Sequence, residues 1–126
     1  MASFVQAKNA SGTSISTLNI TFDASAAVDN LLVATWRTGN VTHTSVTDTA
    51  SNSYNKDQDQ VTGAVVRGSV WSTINGTAAA HTVTVTAAAS ATIQAIIGEI
   101  SGNQTSAVLD VDTSTTGTGV ESLNCG

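Results

Sequence analysis

The segment His81–Thr86 reads HTVTVT, a strict alternation of valine with threonine that suits a half-buried strand with one apolar face and one hydroxyl-bearing face. Nothing around it favours a long helix. The Ala-rich runs Thr77–Ala80 and Ala87–Ala91 are split by that alternating segment. Amphipathic helices draw on Leu, Glu, Lys, Gln and Arg, and the whole chain has only 4 Lys plus Arg. Thr and Val fit a pleated surface instead, and Thr alone supplies 21 of the 126 residues. The expectation is an all-β chain.

Other segments extend the pattern. Ser3–Lys8 and Ile15–Phe22 are expected as the first two strands, the second with Leu18, Ile20 and Phe22 on one face. Asn30–Arg37 (NLLVATWR) is apolar almost throughout and reads as a central strand buried on both faces. In Val41–Thr47, alternation puts Val41, His43, Ser45 and Thr47 opposite Thr42, Thr44 and Val46. Asp48–Asn55 is turn-rich, Val61–Thr73 carries one long strand, and Asn75-Gly76 marks a turn. His81–Thr86, Ala91–Ile100 and a short edge strand at Val108–Asp112 follow. Eight or nine such strands predict one antiparallel β-sandwich or barrel over residues 1–112, with a Thr/Gly-rich extended tail at 113–126.

Composition narrows the function. Hydrophobic residues make up 40% and charged residues 10%, which is the balance of a chain that folds rather than of a disordered one. Four basic residues against nine acidic ones argue against a nucleic-acid or anionic-membrane partner. No stretch approaches the roughly 20 apolar residues of a membrane span. The opening MASFVQAKNA has neither a basic n-region nor an apolar h-region, so no signal peptide is expected. Cys125 stands alone, which leaves no internal disulfide, only an incidental thiol or a crosslink to another chain.

Catalytic materials are scarce. There is no GxSxG elbow, and the GTG at Gly117–Gly119 lacks the strand-to-helix setting of a phosphate loop. His43, His81 and Cys125 are too scattered to read as a zinc site. A non-enzyme without a cofactor is expected. Calcium could use the paired carboxylates Asp57 and Asp59, or Asp110 and Asp112, although a solvated acidic face is the plainer reading of both. Glu99, inside the apolar AIIGEIS, needs a partner if buried, and Arg37 or Arg67 could provide it.

Sugar binding calls for an exposed aromatic ring beside amides and carboxylates. Trp36 and Trp71 sit in strands and read as core, which leaves Tyr54 in a loop with Asn52, Asn55, Asp57 and Asp59 as the candidate ligand site. Five Asn-x-Ser/Thr sequons, at Asn9, Asn19, Asn40, Asn75 and Asn103, are candidate glycosylation sites.

The order NLLVATW, SVTDTASNSYN, VWSTINGTAAAHTVTVT, AIIGEISG and AVLDVDTSTTGTG resembles a family of bacterial and phage-associated extracellular β-sandwich domains. That family shows an NLLV strand, an SDSAGNTY-like turn, an NTVTVTF-like strand and an AEYSG…LD…GTG segment. The resemblance implies a jelly-roll or lectin-like sandwich in an extracellular, cell-surface or virion-surface setting. Members typically continue past the GTG segment into further strands. If those strands belong to the same sandwich, this chain has an incomplete sheet that another chain completes.

Two functions fit these readings. One is a surface-displayed module for adhesion or carbohydrate binding, with a glycan or cell-surface ligand as partner. The other is a structural subunit of a virion surface or extracellular filament that self-associates through strand edges.

Overall fold

The computed structural model describes residues 1–102, and the expected strand at Val108–Asp112, the tail at 113–126, Cys125, Asp110, Asp112 and Asn103 all lie outside them. The described residues form six strands: β1 (Ser3–Thr21), β2 (Leu31–Gly39), β3 (His43–Asp48), β4 (Asn55–Thr62), β5 (Val66–Ile74) and β6 (Thr82–Ser101). They form one antiparallel sheet in the order β1-β6-β2-β5-β4, with β3 also bonded to β6. The fold is all-β and antiparallel, as the alternating segments lead one to expect.

Long β6 organises the rest. Along one side it pairs with β1 from Thr82 to Ser101. On its other side β3 takes Val83–Ala87 and β2 takes Gln94–Ile100. Between those stretches Ala88, Ala89 and Ser90 are exposed, and opposite them the β1 register slips twice between Gly12 and Thr17. Bulges bend and twist a strand without ending it. The ladder therefore folds over, and both of its halves contribute to one core. Val83, Val85 and Val46 come from the β3 half, and Ile93, Ala95, Ile97, Leu32, Trp36 and Trp71 from the β2 half. Burying each of the valine, leucine and isoleucine side chains contributes about 1.5–3 kcal/mol relative to leaving it exposed.

Several expected boundaries differ. Ser3–Lys8 and Ile15–Phe22 belong to the single strand β1, and His81–Thr86 and Ala91–Ile100 merge in β6, because bulges carry each strand around the bend. Val61–Thr73 is instead two strands around a tight turn with positive φ at Gly63 and Ala64. The extra strand, β4, reads NKDQDQVT, and its polarity hides it because an edge strand need bury little. At the far end Gly102 turns the chain with φ 69°, and a Cβ there would strike the Met1 carbonyl oxygen. The last described residue therefore lies beside the start of β1.

Candidate functional site

Polar chemistry in this fold is concentrated in four clusters, three of them sealed. In the first, a bulge places two β3 residues, His43 and Thr44, against one step of β6, so His43 and Val46 both turn inward. His43 stacks on Trp36 with ring centroids 3.5 Å apart. Thr38 Oγ1 donates to the Gly39 carbonyl at 2.6 Å, so it accepts from His43 Nε2 at 3.0 Å. The other ring nitrogen, Nδ1, then accepts from Ser69 Oγ at 2.6 Å, while Ser69 accepts from Trp71 Nε1 at 2.8 Å. This arrangement needs a neutral ring. Burial pushes the imidazole down to about 4, with Asp59 opposing and Arg67 and Lys56 adding to the effect.

A serine hydroxyl bonded to an imidazole resembles half of a nucleophilic triad. Ser69 is 3% exposed and His43 1%, so no substrate reaches either atom in this conformation. The pair sits 26 residues apart in the chain, and no spacing motif announces it.

The second cluster surrounds Asn75, which is fully buried. Its Nδ2 donates to the Ala26 and Ala27 carbonyls, and its Oδ1 accepts from Asn52 Nδ2, Thr77 N and His81 Nε2. A glycan on that nitrogen is incompatible with the fold, so the Asn75 sequon is corrected. Asn9, Asn19 and Asn40 are exposed.

In the third cluster Glu99 is 0% exposed, yet neither Arg37 nor Arg67 reaches it. The expected ion pair is replaced by neutral donors: Ala27 N at 2.8 Å, Asn30 Nδ2 at 2.6 Å and Gln6 Nε2 at 2.6 Å. Burial raises its carboxyl, but these bonds and nearby His81 outweigh that and hold it below the usual range. Arg37 instead donates to Gln94, and Arg67 to Asp59.

The residues proposed for a ligand divide between loop and strand. Asn52 and Tyr54 are tied down through Asp48, whose Oδ2 accepts from Asn52 Nδ2 at 2.8 Å and Tyr54 OH at 3.2 Å. Tyr54 is half-buried and packs against the core, and burial raises its hydroxyl above the ordinary tyrosine value. On β4, Asn55 is exposed, while Asp57 and Asp59 are half-buried. Burial pushes the Asp59 carboxyl up, but Lys56 and Arg67, each 2.9 Å away, hold it below its usual value. With two cations on it, Asp59 has little capacity left for calcium. Among the described residues no group of three His, Cys, Asp or Glu is placed to hold a metal.

Comparison with models of known families, with curated proteins and with solved structures found no match for this chain.

Proposed function

We propose that this chain is a non-catalytic structural module of an extracellular, cell-surface or virion-surface assembly, and that it works by associating through a free strand edge. The observation that carries this reading is β1, nineteen residues long and bonded on one side only among the described residues. Its polar side chains reinforce the choice. Among the described residues the buried hydroxyls, imidazoles and amides hold strands and loops together and present no open reactive group. A surface rich in Ser and Thr hydroxyls meets water without adding charge, which suits an exposed setting. Size-exclusion chromatography with light scattering tests the reading. Defined multimers support it, and a single-chain mass of 12.7 kDa at high concentration contradicts it.

Adhesion or carbohydrate binding is the second reading. Exposed Asn55 beside half-buried Tyr54 is the feature that favours it, and retention on a glycan array, lost in Tyr54→Ala, is its test.

A further inference from the structure

Three strands, β1, β3 and β4, have a free edge among the described residues. Such an edge offers unpaired N–H and C=O groups, and folds commonly guard it by shortness or charge. The β3 edge is short, six residues ending in Asp48. On β4, Lys56, Asp57 and Asp59 fall within eight residues. β1 has neither protection. It is nineteen residues long with Lys8 as its single charge, and that ammonium is held by Asp23 at 2.6 Å. Its register against β6 is unbroken from Gln6 to Gly12, so alternate peptide groups along this stretch point away from the sheet. Apolar surface flanks it: Phe4 is 70% exposed, Val5 47% and Ile96, on β6, 55%.

We infer that β1 pairs antiparallel with β1 of a second copy across a two-fold axis, joining two sheets into one. The inference rests on the association reading and goes further by naming the edge, the partner and the symmetry. Charge selects the partner. Two chains of net charge −5 repel, and they approach most readily where each surface is uncharged. Along β1 both copies bring small or neutral side chains, with Ala7, Asn9 and Ser11 on the exposed face. Antiparallel pairing of identical edges is self-complementary and stops at two copies. Pairing β1 with β4 would set a neutral edge against a charged one and, repeated, would build an open filament.

Sedimentation velocity on the full chain, on N9K/S11K and on the β4 control N55K tests this. Asn9, Ser11 and Asn55 are exposed, so the core stays intact, and far-UV circular dichroism verifies the fold of each variant. Wild type and N55K are expected at twice the single-chain mass of 12.7 kDa. N9K/S11K is expected to associate at least about tenfold more weakly, because like charges then meet across the new pair. A single-chain mass for wild type at every concentration overturns both this pairing and the association reading. A wild type that associates while N9K/S11K remains dimeric, while N55K dissociates, or while masses exceed two chains overturns the β1 pairing alone.

Discussion

His43 and Trp36 lie face to face, with their rings 11° from parallel, and this contact joins β3 to β2 across the core. Both strands bond the same side of β6 at different heights, so the stack forms only because the ladder folds over. The imidazole must be neutral to accept from Ser69, which makes the fold sensitive to acid.

Stability should fall as pH drops from about 6.5 to about 4, the window between the unfolded and folded His43 values. The unfolded chain binds the proton more readily there, so acid favours unfolding. The full effect is about 3 kcal/mol. Asp59, Arg67 and Lys56 are the charged groups acting on the ring. Urea denaturation at several pH values in this window measures the slope, and His43→Gln should flatten it.

Replacing Glu99 with Gln should cost about 2–3 kcal/mol, because a carboxylate accepting from three donors is exchanged for an amide whose NH2 meets another donor. Chemical denaturation at pH 7 checks this. The lowered Glu99 value has its own pH signature. Its stabilisation is complete above the unfolded carboxyl value and is lost as pH falls through the folded one.

Asn75→Ala should destabilise the fold by about 2–4 kcal/mol, since it removes the Nδ2 bonds to the Ala26 and Ala27 carbonyls and one of the two acceptors of the His81 Nε2 proton, which keeps only the Thr77 carbonyl. In a glycosylating host, mass spectrometry should find Asn75 unmodified even where exposed Asn9, Asn19 or Asn40 carry sugar.

Tyr54→Phe should cost about 1 kcal/mol through the lost bond to Asp48, a value thermal or urea denaturation can resolve.

These networks mark where sequence reading stops. The all-β class and the burial of Trp36 and Trp71 were legible from alternation and apolar runs, but the run NLLVATWR, expected to be buried on both faces, is buried on one, with Thr35 and Arg37 exposed on the other. β4 was not, since its NKDQDQVT carries the composition of a loop while its backbone completes an edge. Simple alternation also puts His43 and Val46 on opposite faces, whereas one bulged residue brings both inside. The Glu99 partners sit 69, 72 and 93 residues away along the chain, and neutral donors leave no charge pattern to follow.

Hydrogen exchange of the full chain at low and high concentration tests the β1 pairing on the β1 backbone itself. Amides between Gln6 and Gly12 should exchange more slowly in the concentrated sample, while those of β4 are unchanged. Equal exchange across Gln6–Gly12 at both concentrations, or protection that appears on β4 instead, would contradict the pairing.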